Sequence, residues 1–330
     1  MNMDWQNIKG HEQIKSELSR LLSMNRLPHA LLFTGEEGIG KAMAARLLAK
    51  ALLCCAEGNS RPCGICPSCR SFDEGSHPDF FYLQPESSGS VKMIKIEQMR
   101  QVQAALALSP YLSERRAVII DGAEYMNDTV ANSLLKTLEE PQGEIYFILV
   151  TANKDKLLPT VLSRCTKIYF APLRNEEVAA ILRDKGGVDT DRAEVIARIS
   201  GGSAGRALAF IDSGALDLRR KAAAILSGSL SDQQIIDISA ELSALDRSLI
   251  RQWASFIRQL LRDAMLLSAG AAPEMLCNSD MQAELADAVQ LSKSRLLKKI
   301  ELSLQLMQRL NSNADARLII QNFLLQWRTL

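Results

Sequence analysis

The sequence lacks long apolar runs and lacks a surplus of charge of either sign. No stretch approaches the roughly 20 apolar residues that a bilayer span requires, so we expect no transmembrane helix. The first residues include an acidic Asp4 and no apolar segment, so we expect no secretory signal and a cytoplasmic location. The net charge of +1 provides no global attraction to nucleic acid or to anionic membranes. Any contact with DNA would therefore depend on a local patch or on partner chains.

Proline is scarce in the second half of the chain, where only Pro172 and Pro273 remain of the 10 prolines. The proline-rich first half alternates short apolar runs with helical stretches. Most of these runs are continuous instead of alternating, as expected for strands that are buried on both faces. The sequence therefore predicts an α/β fold with a five-stranded parallel sheet and right-handed crossovers. The predicted strands are 30–34, 79–83, 117–121, 145–151 and 167–170, with helices at 41–54, 94–106 and 129–139.

Strands are not predicted beyond Arg174. Three short helical segments, 176–185, 190–199 and 204–211, are separated by pairs of glycines. The stretch beyond Gly214 is poor in glycine, helix-periodic and nearly balanced in charge, which predicts a helical packing module. Because 330 residues exceed the usual size of one core, we expect several domains. The predicted domains are 1–172 with the α/β fold, 173–212 as a small three-helix lid, and 213–330 as an all-helical module.

A glycine-rich loop follows the first predicted strand. It contains Gly35, Gly38 and Gly40, then Lys41 at the start of an alanine-rich helix. Strand, glycine-rich loop and helix form the context of a P-loop, in which backbone N–H groups and the helix N-terminus bind phosphate. Lys41 is predicted to reach the β and γ phosphates. An ordinary strand-to-helix turn is the alternative interpretation.

Two positions of this ATP-binding pattern lack the expected chemistry. A working P-loop has Ser or Thr after the lysine to ligate Mg²⁺, and here the residue is Ala42. Another strand ends in Asp121, in the Walker B pattern, so one carboxylate stays available to the metal. In AAA+ ATPases, which the pattern resembles, the next residue is usually a catalytic glutamate; here it is Gly122, and we expect the carboxylate of Glu124 to point elsewhere. Nucleotide binding, if retained, is predicted to be weak or vestigial, and hydrolysis is not expected.

Four of the seven cysteines are clustered with the spacing C-x8-C-x2-C-x2-C, which favours metal over disulfides in a reducing compartment. They are Cys54, Cys63, Cys66 and Cys69. Four thiolates close a tetrahedral shell, so the predicted metal is structural Zn²⁺. Cys55 is an alternative first ligand. An unmetallated loop, a redox pair and an iron–sulfur cluster are alternatives, although the ferredoxin run needs a further Cys-Pro after the closely spaced cysteines, which is absent here. The isolated Cys165 and Cys277 are predicted to be buried apolar residues.

Several motifs over nearly the first two hundred residues together resemble bacterial clamp-loader subunits of DNA polymerase III, which are AAA+ proteins. The cysteine insertion matches that family in position and spacing. The other motifs are Arg-Leu-Pro-His-Ala at 26–30, Leu-Leu-Lys-Thr-Leu-Glu-Glu-Pro at 134–141, Leu-Ser-Arg-Cys at 162–165 and Gly-Gly-Ser-Ala-Gly-Arg-Ala-Leu at 201–208. Each motif alone is weak evidence, whereas the set in this order is specific.

The resemblance implies roles for individual residues. Arg164 would be an arginine finger that acts in trans on a neighbouring subunit's nucleotide, with a plain surface arginine as the alternative. Thr151, or else Asn153, would be sensor 1, and Arg206 would be sensor 2. His29 is interpreted as a hydrogen-bonded packing residue and not as a catalyst.

The resemblance also implies partners and a function. Motor subunits of the family (gamma and tau) keep the P-loop Thr and the Walker B Glu, whereas Ala42 and Gly122 are typical of a member without turnover. Such a subunit would join gamma/tau motors and the delta subunit in a pentameric ring that loads the β sliding clamp onto primer–template DNA, as an accessory part of the polymerase. The alternatives are an ATP-hydrolysing motor of the gamma/tau type, another AAA+ ATPase, or a zinc-finger nucleic-acid binder, against which the balanced charge near the cysteines argues.

Overall fold

A computed structural model describes residue 5 and residues 8–56, 61–88, 91–141, 143–226, 230–310, 312 and 314–330. The chain divides into two compact units. The first extends to Glu177 and includes Gly202–Gly205, and the second comprises Val178–Gly201 and Arg206–Leu330. None of the helices among the described residues combines the length and the apolar character that a bilayer crossing requires.

The first unit is built on a five-stranded sheet in the order β2-β5-β6-β1-β7, in which every neighbouring pair is parallel. The separate pair β3-β4 is antiparallel. The central strands β1 and β6 are buried along their whole length, which explains their continuous apolar sequences. The strands are β1 (Ala30–Thr34), β2 (Phe80–Leu83), β3 (Glu86–Ser88), β4 (Val91–Met93), β5 (Arg116–Asp121), β6 (Ile145–Thr151) and β7 (Thr166–Tyr169).

Helices cover both faces of this sheet, and alternate strand residues contribute to two apolar clusters. Leu31 and Phe33 belong to one cluster with Leu48, while Leu32 belongs to the other with Leu134. This arrangement is expected for a parallel sheet whose crossovers are helical. The helices of the first unit are α1 (Glu12–Ser23), α2 (Lys41–Leu53), α3 (Pro67–Asp73), α4 (Ile96–Leu106), α5 (Asp128–Glu139) and α6 (Pro159–Leu162).

Helices are the only regular secondary structure among the described residues of the second unit. Its two largest fully buried side chains are Trp253 and Trp327, and the indole of Trp327 donates a hydrogen bond to the Ile225 carbonyl at 2.7 Å. The 22-residue α12 packs against α10, α13 and α14. The remaining helices are α7 (Asn175–Gly186), which begins in the first unit, α8 (Thr190–Ile199), α9 (Ala204–Asp212), α10 (Ala215–Ala224), α11 (Asp232–Ser243), α12 (Arg247–Ser268), α13 (Gln282–Val289), α14 (Lys293–Arg309) and α15 (Ala316–Thr329).

The α/β fold class, the five-stranded parallel sheet and the helical C-terminal part are confirmed. The predicted strands agree with the observed ones to within one residue at each end. Helix α1, the short α3 and the hairpin of β3 and β4 were not predicted. The hairpin strands have only three residues each and include polar side chains, so they carry no apolar pattern. An ion pair between Lys95 and Glu86 at 2.6 Å lies at its base.

Candidate phosphate loop and cysteine centre

The glycine-rich loop connects β1 to α2 at the carboxyl edge of the sheet. Gly35, Gly38 and Gly40 all have positive φ angles, of 144°, 77° and 101°. A Cβ atom at Gly35 would lie 2.3 Å from the carbonyl oxygen of Phe170, so a larger residue does not fit there. The loop therefore has backbone conformations that favour glycine, as the sequence motif of a phosphate-binding loop predicts.

The side chain of Lys41 is turned back onto this loop. Its ammonium donates to the carbonyl oxygens of Gly35 at 2.8 Å and Glu36 at 2.5 Å, and the residue is only 6% exposed. Burial lowers the pKa of Lys41, and the negative charges of Glu124 and then Asp121 oppose that shift. In this state Lys41 stabilises the loop that would hold a phosphate.

Asp121 ends β5 and accepts a hydrogen bond from the hydroxyl of Tyr82 on β2, at 2.5 Å. Burial, followed by this hydrogen bond, raises the pKa of Tyr82, so the hydroxyl stays a donor at neutral pH. The next residue, Gly122, has φ 74°, and a Cβ atom there would lie 3.0 Å from the Tyr125 ring. A glutamate at position 122 would therefore be strained in this backbone.

The carboxylate of Glu124 is held by the backbone that follows β6. One carboxylate oxygen accepts a hydrogen bond from the Ala152 N–H at 3.0 Å, just beyond β6. The other oxygen is buried without a hydrogen-bond partner among the described residues. The charge of Glu124 opposes the downward pKa shift of Lys41 more strongly than the charge of Asp121 does. The carboxylate of Glu124 is thus held at the end of β6, and its charge still acts on Lys41.

The two sensor candidates belong to different units. Thr151 ends β6 and is 1% exposed, and its hydroxyl accepts a hydrogen bond from the Asn153 N–H at 3.0 Å. Arg206 belongs to the second unit, where its guanidinium donates to the Ser200 carbonyl at 3.1 Å. His29 donates to the Leu138 carbonyl at 2.9 Å, in keeping with a packing residue.

The start of the Gly-Gly-Ser-Ala-Gly-Arg motif contacts the glycine-rich loop directly. The hydroxyl of Ser203 donates to the Glu37 carbonyl at 2.7 Å, and the N–H of Gly205 donates to the Gly38 carbonyl at 2.8 Å. A Cβ atom at Gly205 would lie 2.9 Å from the Gly38 Cα atom. Sequence reasoning missed this contact because only the arginine of the motif was given a role. The glycine spacing was the signal that could have revealed it.

Arg164 follows the short α6 and precedes the edge strand β7. Its guanidinium donates to the Thr160 carbonyl at 2.9 Å and forms an ion pair with Glu139, the last residue of α5. Its side chain is 34% exposed. Arg164 therefore lies partly exposed at the surface of the first unit.

The four clustered cysteines converge on one point. Their sulfur atoms all lie within 4.8 Å of one another, and two of the separations are 3.9 and 4.0 Å. A tetrahedral zinc shell with Zn–S distances of about 2.3 Å has S···S edges of about 3.8 Å, so the cluster fits this metal. Cys54 belongs to the cluster, whereas Cys55 is exposed outside it. The four residues can therefore hold one metal ion.

Backbone N–H groups point at these sulfur atoms. The N–H groups of Cys66 and Cys69 donate to the sulfur atoms of Cys63 and Cys66 at 3.3 and 3.4 Å. Burial raises the pKa of Cys66, but hydrogen bonds from backbone and thiol donors outweigh burial and lower its pKa to about 6. Burial instead raises the pKa values of Cys54 and Cys69, so the four thiols differ in how readily they give up the protons that metal binding displaces. Outside the cluster, Cys165 is buried and Cys277 is half-buried.

A buried polar network joins the cysteine segment to the sheet. The hydroxyls of Ser68 and Ser113 both donate to the carbonyl of Leu53, the last residue of α2, at 2.7 Å. The Nε2 atom of His77 lies 2.8 Å from the Ser68 hydroxyl, and its Nδ1 atom accepts a hydrogen bond from the Asp79 N–H. Neutral His77 must therefore carry its proton on Nε2. The network fixes α3, which carries Cys69, against the end of α2.

Comparisons with known proteins agree with this arrangement. A family model described as DNA polymerase III, delta subunit, matches residues 10–174, and one described as DNA polymerase III, delta subunit, C terminal, matches residues 215–329. The chain is 31% identical to the DNA polymerase III subunit delta′ of Escherichia coli over 269 residues, which are 81% of this chain and 78% of that protein.

Other relatives cover less of their own length. Identity to the DNA polymerase III subunit tau of Salmonella typhimurium is 30% over 84% of this chain and 46% of that protein. Identity to subunit delta′ of Bacillus subtilis is 35% over 54% of this chain and 53% of that protein. The chain thus spans about half the length of these two relatives. One family model matches half of the chain, and the match to the Escherichia coli delta′ subunit covers most of both proteins. The chain therefore belongs to the clamp-loader subunit family of DNA polymerase III, which includes delta′ and tau/gamma.

Proposed function

We propose that this chain is the delta-prime-type subunit of a DNA polymerase III clamp loader and does not hydrolyse ATP itself. Its partners would be gamma/tau motor subunits, the delta subunit, the β sliding clamp and, through the assembled complex, primer–template DNA. Residues 1–172 would form the AAA+ domain, 173–212 the lid and 213–330 the collar that joins the ring. Such a protein acts in the cytoplasm.

The observation that carries the proposal is the state of the phosphate loop. Ala42 offers no oxygen to Mg²⁺, and Gly122 offers no carboxylate to an attacking water. Asp121 accepts the Tyr82 hydroxyl, and Lys41 donates to its own loop. Without an oxygen from position 42 or a carboxylate from position 122, ATP or ADP binding would be weak or vestigial.

Zinc is the proposed occupant of the cysteine centre. Four thiolate donors leave no open coordination position, so the ion would stabilise the fold and take no part in chemistry. The centre directly follows α2, the helix that begins at the phosphate loop. We therefore assign it a structural role in the first unit.

Arg164 is the proposed arginine finger. A guanidinium can neutralise charge that develops on a neighbour's γ-phosphate, an effect worth roughly 10³–10⁵ in rate in GTPases. Arg164→Ala should leave assembly unchanged, lower the DNA- and clamp-stimulated ATPase, and slow clamp loading. Arg164→Lys should restore little, because an ammonium lacks the planar fork. Arg183→Ala, at another exposed arginine, is the control.

The test uses the reconstituted complex of this chain with its gamma/tau and delta partners, the β clamp and primed DNA. Phosphate release is measured for the complex and for the purified chain alone. The proposal requires background turnover by the chain alone and a reduced stimulated rate with Arg164→Ala. If the Ala variant assembled and worked at the unmodified rate, Arg164 would be an ordinary surface residue.

A gamma/tau-type motor is the second candidate function. It is favoured by the match to a tau subunit over 84% of this chain and by the negative charge of Glu124, which opposes the lowering of the Lys41 pKa by burial. Glu124 would then have to act in place of the missing carboxylate at position 122. Robust Mg²⁺-dependent hydrolysis by the chain alone, abolished by Glu124→Gln, would establish the motor and reject the first proposal.

A further inference from the structure

The guanidinium of Arg164 is held by three acceptors from its own chain. The nitrogen Nη1 donates to the Thr160 carbonyl at 2.9 Å and lies 3.4 Å from the Ser163 hydroxyl. The nitrogen Nη2 forms the ion pair with Glu139. A guanidinium has five N–H donors, so these three acceptors fix its position and leave donors for an incoming anion. The arginine is thus oriented before any neighbouring subunit binds.

Glu139 is an unfavourable residue for its own helix. It ends α5, where the helix dipole is negative and a lysine or arginine would be stabilising. Its side chain is 47% exposed, so water can solvate the carboxylate and burial does not require a partner. The contact that distinguishes this carboxylate is the ion pair with Arg164, which joins the end of α5 to the end of α6.

We propose that Glu139 is a positioning residue that holds Arg164 in the orientation needed to reach the nucleotide of a neighbouring subunit. This inference rests on the proposed arginine-finger function. A free arginine side chain loses rotamer entropy when it is ordered, and orienting it in advance lowers the cost of the transition-state contact. An exposed ion pair is weak, so Glu139 does not compete effectively with a triphosphate.

The charge and the hydrogen bond of Glu139 can be separated by substitution. Glu139→Gln keeps an oxygen that accepts from Nη2 and removes the negative charge, whereas Glu139→Ala removes both. A positioning role depends mainly on the acceptor, so the Gln variant should retain most of the activity. A role as a competing anion would instead make both variants faster than the unmodified chain.

The experiment compares Glu139→Ala, Glu139→Gln, Arg164→Ala and the double variant Glu139→Ala/Arg164→Ala in the reconstituted complex, with Glu140→Ala as the control at an adjacent exposed carboxylate. The kcat and KM of the DNA- and clamp-stimulated ATPase are measured for each. The Arg164-dependent part of kcat should fall about two- to fivefold in Glu139→Ala, as expected for an ion pair of up to 1 kcal/mol, with an unchanged KM for ATP. The double variant should match Arg164→Ala alone, because Glu139 acts only through the arginine.

The outcomes separate this inference from the function on which it rests. A lower rate in Arg164→Ala, combined with an unchanged or raised rate in Glu139→Ala, would keep the finger and overturn its positioning by Glu139. Positioning by Glu139 is also overturned if Glu139→Ala lowers the rate of the Arg164→Ala complex by the same factor as it lowers the rate of the unmodified complex. An unmodified rate in Arg164→Ala would overturn both proposals.

Discussion

The phosphate loop and the cysteine centre lie at opposite ends of the same helix, α2, and differ in what each has kept. The loop retains the backbone of an anion site, with three glycines at positive φ, but Ala42 and Gly122 supply no metal or water ligand. The cysteine centre retains every donor atom, with four sulfur atoms within 4.8 Å. The loop backbone also accepts hydrogen bonds from Lys41 and from the Gly205 N–H, so contacts within the chain support its conformation.

Metal removal should have the largest effect on stability, and it tests the difference between the cysteine centre and the phosphate loop. As purified, the chain should contain about one Zn²⁺, and Cys66→Ser should lose it, because three thiolates leave the shell incomplete. Structural zinc contributes roughly 10–16 kcal/mol of apparent binding free energy in small zinc-finger peptides, so the segment around the centre should unfold locally. Elemental analysis and hydrogen exchange of α3 measure both effects.

The control for this prediction is Cys55→Ser. Cys55 is the neighbouring exposed thiol outside the cluster, so this variant should keep its zinc and its exchange protection. Iron with visible absorbance, or no metal in the unmodified chain, would contradict the assignment.

Crowding the phosphate loop with a larger side chain should cause the next largest loss in the free energy of unfolding. A methyl group at Gly205 would lie 2.9 Å from the Gly38 Cα atom, so Gly205→Ala must push the two segments apart. Overpacking of this kind costs about 1–3 kcal/mol. Urea denaturation without nucleotide measures the loss. Ser203→Ala, which removes the hydrogen bond to the Glu37 carbonyl without adding volume, should cost less. Equal stability of Gly205→Ala and the unmodified chain would show that the contact is dispensable.

Replacing Lys41 should also lower the free energy of unfolding, but by less than Gly205→Ala does. Lys41→Met removes the donor that joins the Gly35 and Glu36 carbonyls, and we expect a loss of about 1–2 kcal/mol because relief of the buried charge offsets part of it. The loss should appear in the absence of any nucleotide. If Lys41→Met changed nucleotide affinity and left the free energy of unfolding unchanged, the loop would be a working site and not a structural one.

The smallest expected effect is the pH dependence of stability that arises from His77, in the buried network that fixes α3 against α2. Burial lowers the pKa of His77 below its ordinary value of about 6.5. The unfolded chain therefore binds more protons than the folded chain between the folded pKa and about 6.5, so stability should rise with pH in that window. The contribution of His77 is fully present above 6.5 and declines as pH falls below it. An NMR titration of the His77 ring measures its pKa directly, and a value above 6.5 would contradict this sign.

Much of the fold could be predicted because its signals are local. The buried strands β1 and β6 are continuous apolar runs, and their predicted bounds match the observed ones. The cysteine spacing was equally informative, since each C-x2-C step fixes two donors on one turn. Helix α1 was missed although its apolar residues recur at helical spacing, because its N-cap, His11, is an unusual capping residue in the left-handed region.

The contacts within the candidate site depend on tertiary structure and could not be predicted. Glu124 is separated from Lys41 by more than eighty residues, and its position depends on the Ala152 N–H that follows β6. The contact of Gly205 with Gly38 and the ion pair of Arg164 with Glu139 likewise join distant segments. The Leu-Ser-Arg-Cys motif suggested a role for Arg164. Glu139 was noted only as one residue of the 134–141 motif, with no role of its own.

The length of α2 limits how natural relatives can vary in this region. The helix has 13 residues between the phosphate loop and Cys54, and its last carbonyl, that of Leu53, accepts hydrogen bonds from Ser68 and Ser113. An inserted residue would rotate that carbonyl by about 100° and shift it by about 1.5 Å relative to Lys41, beyond the reach of both hydroxyls. Insertions and deletions between the two sites should therefore accumulate in the loop after Cys54, while the helix keeps its length through sequence divergence.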